Sequence, residues 1–215
     1  MKKYRLKWFA TMTGLFALLA VPVLMVGNVT YAADTNGGAH YAGVSQCKVC
    51  HNKPSTGAQY TKWTQMKHAK AYETLKTDKA KAIAEKRGIK VAPNEAPECL
   101  KCHVTGYDVK TKSAPDNIKI EDGIQCETCH GPASNHIKDG KTLMFQPNKA
   151  GSIDLLAHLQ LPTADTCKQC HNPESPTWNP EQFTTKDGKK VGFDFDQAKK
   201  IIAHPDPKLD AQKKK

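Results

Sequence analysis

The sequence predicts a mostly α fold with long irregular loops, and a core that its side chains alone do not fill. Three observations lead there. Apolar residues recur at helical spacing over 58–86 and again over 194–204, while strand patterns are weak throughout. Only 39% of the 215 residues are hydrophobic and the mean hydropathy is −0.60, a polar balance for a chain of this length. Finally, the eight cysteines fall into C-x-x-C pairs at Cys47/Cys50, Cys99/Cys102, Cys126/Cys129 and Cys167/Cys170. Each pair is followed at once by a histidine: His51, His103, His130 and His171.

Taken in order, residues 1–32 read as a secretory signal peptide. Lys2, Lys3, Arg5 and Lys7 give a basic start, the apolar run GLFALLAVPVLMVG follows at 14–27, and small residues at Thr30 and Ala32 mark a cleavage point. A retained membrane anchor is the rival reading, because the stretch from Trp8 to Val26 approaches a spanning length. The folded domain is expected over 33–205, opening with a polar lead at 33–46. One long helix is expected over 58–86, with Tyr60, Trp63, Met66 and Tyr72 on one face, His68, Tyr72 and Leu75 on another, and Gly88 as its stop. Residues 92–98 form a turn, and 104–125 carry at most a short hairpin. Residues 131–166 read as loop with a helical turn or two near Ile153–Leu159, and 172–183 as proline-rich and irregular. A last helix at 194–204 is stopped by Pro205, and 206–215 form a disordered basic tail. The domain is expected in the periplasm or at the cell exterior, since an export signal reports passage across the inner membrane only.

C-x-x-C-H is the attachment signature of c-type haem. Two thiols one helical turn apart can add to the two vinyl groups on one edge of a porphyrin. The adjoining imidazole then reaches the iron as its proximal ligand. Paired C-x-x-C motifs also build zinc sites, and exported cysteines commonly form disulfides, but neither needs a histidine after every second cysteine. The cysteines therefore predict four covalently bound haem c groups, with His51, His103, His130 and His171 as proximal iron ligands. Four macrocycles also account for the polar composition. About 183 residues remain after the leader, roughly 46 per haem, too few for a separate protein core. The haems are expected to form the core and to lie close together.

Charge follows the same logic. The formal net charge is +11, of which four positive charges sit in the leader. Eight propionates would add about −8 and bring the domain close to neutral. The basic pI of about 9.2 thus does not point to nucleic acid. No nucleotide, nucleophile or separate metal motif appears, and no catalytic residue is assigned.

Five histidines remain for the distal iron positions: His40, His68, His136, His158 and His204. Methionine is the competing ligand, but after the leader only Met66 and Met144 are present, and Met66 fits a helix stripe. Bis-histidine ligation at low potential is expected. His68 sits beside Tyr72 and Leu75 in an apolar setting. His204 lies at the end of the last helix. His136 follows Gly131-Pro132, which breaks the chain after His130 and frees His136 to cap a neighbouring iron. His158 and His40 are the remaining candidates.

Several segments together resemble the cytochrome c-554 family of tetrahaem electron carriers from nitrifying bacteria: SQCKVCH (45–51), Trp63, HAKAYETLK (68–76), CLKCHVTGY (99–107), GIQCETCHGP (123–132), CKQCH (167–171) and SPTW (175–178). The resemblance implies a compact helical fold with haems in stacked and roughly perpendicular pairs. It also implies distal roles for His68, His136 and His204. In the nitrifier protein the second-motif haem, which corresponds to Cys99, Cys102 and His103, lacks a distal protein ligand. Ala133, in place of a second glycine after the proline, and the additional His40 depart from the family pattern. The sequence is also similar to tetrahaem cytochromes that polymerise into extracellular nanowires, where one histidine crosses a subunit contact. His40 is the candidate for that donor, with His158 as the alternative within the chain. The expected function is electron transfer, as a shuttle or a filament subunit, with other redox proteins, a second copy of the chain or an extracellular acceptor as partners. The alternative is a haem enzyme that reduces a small nitrogen species, nitric oxide or hydroxylamine, at an open second haem.

Overall fold

The computed structural model describes residues 38–204 together with 206 and 207. The expected leader at 1–32, Pro205 and the tail from 208 lie outside the described residues. Among those described, the chain is mostly helical, with short helices joined by turns and one two-residue hairpin. No described helix is long and apolar enough to cross a membrane.

In chain order the helices are α1 (Val44–His51), α2 (Gln59–Thr64), α3 (Ala71–Thr74), α4 (Asp78–Lys86), α5 (Pro97–His103), α6 (Cys126–His130), α7 (Ser134–Phe145), α8 (Ala164–Lys168) and α9 (Phe195–Ile202). The long helix expected at 58–86 is broken into α2, a 3₁₀ turn at His68–Lys70, α3 and α4. The break has local and tertiary causes. Thr74 Oγ1 donates to the Ala71 carbonyl at 2.6 Å and Thr77 Oγ1 to the Thr74 carbonyl at 2.8 Å, so both hydroxyls compete for the helix ladder. Thr77 then caps α4 by accepting from Ala80 N–H at 3.3 Å. At the turn, the His68 carbonyl accepts from Ile124 N–H at 3.0 Å, a bond supplied from another part of the chain. Gly123 makes this approach feasible: its φ is +63°, and a Cβ there would lie 2.8 Å from the His68 oxygen.

Helix α7 is the largest departure from expectation. The sequence predicted loop over 131–166, yet twelve residues from Ser134 form a helix, and Ile153–Leu159 holds turns alone. No local side chain caps its start. Its first N–H groups find distant partners instead: Ala133 N–H donates to Glu127 Oε1 at 2.9 Å, and Ser134 N–H to the His40 carbonyl at 3.3 Å. Residues 104–125, where at most a short hairpin was expected, hold an isolated bridge, Asp108 to Ser113, and a 3₁₀ turn at Ile120–Asp122. An unexpected hairpin forms further on, where strands β1 (Phe183–Thr184) and β2 (Lys190–Val191) pair in antiparallel around Asp187-Gly188. Asp-Gly is a strong turn signal, and Gly188 takes φ +83° there. Helix α9 forms close to expectation, with Asp194 accepting from Gln197 N–H at 2.9 Å as its cap.

The side-chain core is small. Tyr72, Leu75, Leu100, Val104, Tyr107 and Ile118 form one buried cluster where α3 and α5 meet, with Tyr41 and Cys99 against it. Fully burying one such large apolar side chain contributes about 2 kcal/mol. Beside the cluster lies a buried polar group. Thr105, Gln125 and Glu127 are each no more than 2% exposed. Glu127 accepts from the N–H groups of Ala42 (2.9 Å), Gly43 (2.8 Å) and Ala133. Gln125 Oε1 accepts from Val44 N–H at 2.7 Å. Two side chains from the α6 region thus satisfy the start of α1, whose own sequence supplies no cap. Thr105 Oγ1 accepts from Gln125 N–H at 2.7 Å and bonds Thr128 Oγ1 at 2.8 Å, which ties the residues after α5 to α6.

Replacing Glu127 with alanine is expected to cost about 1–3 kcal/mol for each buried N–H left without an acceptor. A lowered midpoint in chemical denaturation checks this. Glu127→Gln keeps one acceptor oxygen and is expected to lose less; equal stability in all three proteins would refute the role.

Candidate haem centres

Each C-x-x-C-H motif occupies a single helical turn. Residues i, i+3 and i+4 share one helix face, so both thiols and the imidazole point the same way. The first three motifs end α1, α5 and α6. The fourth begins in α8 and continues as a turn, with His171 N–H donating to the Cys167 carbonyl at 3.0 Å. All eight cysteines are of intermediate burial, and none is paired in a disulfide. Among the described residues, no three His, Cys, Asp or Glu side chains converge on a point, the donor set that zinc requires.

The motifs approach one another at their thiols. The Cys47 and Cys126 thiols lie near enough to influence one another, as do those of Cys102 and Cys170. Burial, with repulsion from Cys167 added, pushes the Cys129 thiol up to about 11. These proximities link the first motif to the third, the third to the fourth and the fourth to the second.

The Cys50 carbonyl accepts from Thr56 Oγ1 at 2.8 Å, where the short 3₁₀ turn at Pro54–Thr56 follows the end of α1. Cys99 packs against the apolar cluster.

Three of the expected distal histidines face a motif histidine. His136 stacks opposite His51 with ring centres 6.0 Å apart and planes 23° from parallel. His68 faces His171 at 6.1 Å with planes at 84°, and His204 faces His130 at 5.8 Å with planes at 46°. Two imidazoles on opposite sides of one metal, each bonded at about 2.0 Å, have ring centres about 6 Å apart. The pairs therefore have the spacing of trans iron ligands. His136, only six residues beyond His130, faces His51 instead, as its Gly-Pro break allows.

The imidazoles are also in the right chemical state. His103 Nδ1–H donates to the Ala71 carbonyl at 2.7 Å, His130 Nδ1–H to the Gln160 carbonyl at 3.0 Å, and His136 Nδ1–H to the Leu155 carbonyl at 2.8 Å. His51 Nδ1 lies 3.1 Å from Gln59 Oε1. A proton held on Nδ1 leaves the Nε2 lone pair for a metal. Burial holds His68, His130 and His136 below their ordinary 6.5, and so keeps them neutral. His171 and His204 shift the same way for the same first cause. Both residues are exposed when averaged over all their atoms, but their rings pack against His68 and His130. The donor set and its geometry fit haem c.

His103 is different. Among the described residues no second imidazole faces it; besides the Ala71 carbonyl its Nδ1 meets Thr74 Oγ1 at 3.3 Å. His158, the alternative within the chain, is placed beside Asp139, whereas the expected role of His40 lies across a contact with a second copy. His40 is pinned elsewhere, its N–H donating to Ser134 Oγ at 3.0 Å at the start of α7. His158 Nε2 lies 3.4 Å from Asp139 Oδ2. The orienting groups Gln59, Ala71, Leu155 and Gln160 escaped sequence reasoning. Three of them act through backbone carbonyls, which every residue carries and no side chain advertises.

The family model described as cytochrome c554 and c-prime matches residues 46–131. Cytochrome c-554 of Nitrosomonas europaea is 30% identical over 178 residues, covering 76% of this chain and 74% of that protein. Multiheme cytochrome MtrA of Shewanella baltica is 32% identical over 95 residues, 41% of this chain and 27% of that one. A solved structure of reduced cytochrome c554 from Nitrosomonas europaea gives a TM-score of 0.46 at 26% identity, over 76% of this chain and 78% of that one. With its helical fold, its C-x-x-C-H turns and this degree of identity, the chain belongs to the cytochrome c554 family of multihaem c-type cytochromes, which bind haem c covalently and transfer electrons.

Proposed function

We propose that this is an exported tetrahaem electron carrier with three bis-histidine haems and one haem, at the second motif, that no described histidine caps. The observation that carries the reading is the three imidazole pairs with centres 5.8–6.1 Å apart, each joining a motif histidine to one from a distant segment. Haem c supplies a one-electron iron couple, and the protein supplies spacing, ligands and electrostatics. Cys47 and Cys50, Cys99 and Cys102, Cys126 and Cys129, and Cys167 and Cys170 would fix the four rings. His51 and His136, His130 and His204, and His171 and His68 would hold three irons in low-spin form, with His103 as the proximal ligand of the other. The thiol proximities support a path in the order first, third, fourth, second. Close packing along that path suits a carrier that accepts an electron at one end and passes it to another redox protein at the other.

The lone His103 favours a second reading, in which a small nitrogen species such as nitric oxide or hydroxylamine binds opposite it. A third form of the protein would cap His103 with a histidine from a second copy, as a filament subunit at the cell exterior. EPR of the oxidised holoprotein separates the three. The carrier reading expects three low-spin ferric signals and one high-spin signal. A high-spin signal that vanishes on nitric oxide addition supports small-molecule binding, and one that vanishes on self-assembly supports the filament. Four low-spin signals in the monomer would remove the open haem. The ligand angles make a further expectation: near-perpendicular planes at His68 and His171 leave the iron d orbitals nearly degenerate. That haem should therefore give the largest g value, and His68→Ala should abolish it.

Acidification provides an independent check. A released imidazole protonates near 6.5, while the buried ones resist protonation until lower pH. The folded arrangement therefore carries no proton penalty above pH 6.5. Its stability falls as pH drops through 6.5 and the penalty is complete below the depressed values. Conversion of low-spin to high-spin absorption, His→Ala variants converting earliest, is the expected course of an acid titration.

A further inference from the structure

His136 and His130 belong to different pairs, yet one short stretch of chain holds both. The Leu155 carbonyl accepts from His136 Nδ1–H at 2.8 Å. Five residues on, the Gln160 carbonyl accepts from His130 Nδ1–H at 3.0 Å, and Gln160 N–H donates back to the His130 carbonyl at 2.9 Å. Gly131 lets the stretch lie close, since a Cβ there would come within 3.1 Å of the Gln160 side chain. Between the two attachments the backbone forms turns only, Ala157 N–H to the Asp154 carbonyl at 3.2 Å and Leu159 N–H to the Leu156 carbonyl at 3.1 Å. No helix or strand fixes its position. A third attachment falls in the middle: His158 Nε2 lies 3.4 Å from Asp139 Oδ2, and Asp139 is one turn beyond His136 on α7.

We propose that residues 155–160 are a strap that sets the ring orientations of His136 and His130 together, with Asp139 and His158 as its clasp. His158 is then a positioning residue and not an iron ligand. The inference rests on the reading of His136 and His130 as ligands. A carbonyl acceptor on Nδ1 fixes the tautomer, the rotation of the ring and the basicity of Nε2. Ring rotation changes the angle between the two ligand planes, and basicity changes the reduction potential. Because α1 and α6, which carry the first and third motifs, pack against one another, the strap acts on two neighbouring centres, and displacing it alters both at once.

The test uses the holoprotein with Asp139→Asn and, separately, His158→Asn. Both positions are partly exposed, so the fold is expected to survive. EPR signals of the first- and third-motif centres are identified beforehand by their loss in His136→Ala and His204→Ala. The expected result is a shift in the g values and reduction potentials of those two centres, with the fourth-motif signal unmoved. The exchange Asp139→His with His158→Asp is expected to restore the native values. The strap is overturned if neither centre shifts, if only the His136 centre shifts, or if all centres shift alike. Shifts in the single variants that the exchange fails to reverse overturn the clasp. A new high-spin signal in His158→Asn would make His158 a ligand and overturn its positioning role. If His136→Ala leaves every signal in place, the ligand reading itself fails, a result distinct from failure of the strap.

Discussion

Two imidazoles that share one metal would stand about 6 Å apart with their lone pairs facing. Three times this chain sets two imidazoles 5.8–6.1 Å apart from residues far apart in sequence: His51 with His136, His68 with His171, and His130 with His204. Helix breaks, borrowed caps and tight glycines follow from it. The 3₁₀ turn at His68–Lys70 interrupts what sequence periodicity would make a continuous helix, and the loop at Gly123–Ile124 holds that turn by its backbone. The Gly-Pro break after His130 lets α7 begin in a new direction, and so carries His136 to His51.

Such long-range pairing has an entropic cost that a small apolar cluster does not easily offset. The chain answers with buried polar ties. Glu127 sits inside the third motif and takes three backbone N–H groups from two segments, one just ahead of the first motif and one just ahead of α7. A buried carboxylate is tolerable only when fully hydrogen-bonded, and here every buried polar side-chain atom among the described residues has a partner. Gln125 and Thr105 extend the tie to α1 and to the end of α5. The same residues that make a haem-attachment turn thus also brace its neighbours.

The arrangement is asymmetric along its length. At one end the first and third pairs are close enough for their imidazoles to influence one another: after burial, His204 and His51 both push His130 down. At the other end His103 stands without a facing imidazole among the described residues, beside the apolar cluster of α3 and α5. Which motifs come near one another is invisible in a linear sequence because it depends on tertiary packing.

The sequence alone determined the chemistry. Eight cysteines and four adjoining histidines at fixed spacing can all be read from local geometry, since one helical turn places them on one face. Five further histidines against two methionines pointed to bis-histidine ligation, and weak strand patterns pointed to a mostly helical fold. The fold match is shown by the helices themselves and by the family. Tertiary structure decided the rest. It divided the 58–86 helix, created α7 where no local cap announces a helix, formed a hairpin around Asp187-Gly188, and set His158 beside Asp139. It also chose which distal histidine meets which motif. Those outcomes depend on backbone groups finding partners 18 to 94 residues away, as Gly123 does for Thr105 and Ser134 for His40. A backbone amide is the same at every position, so no residue pattern records its choice.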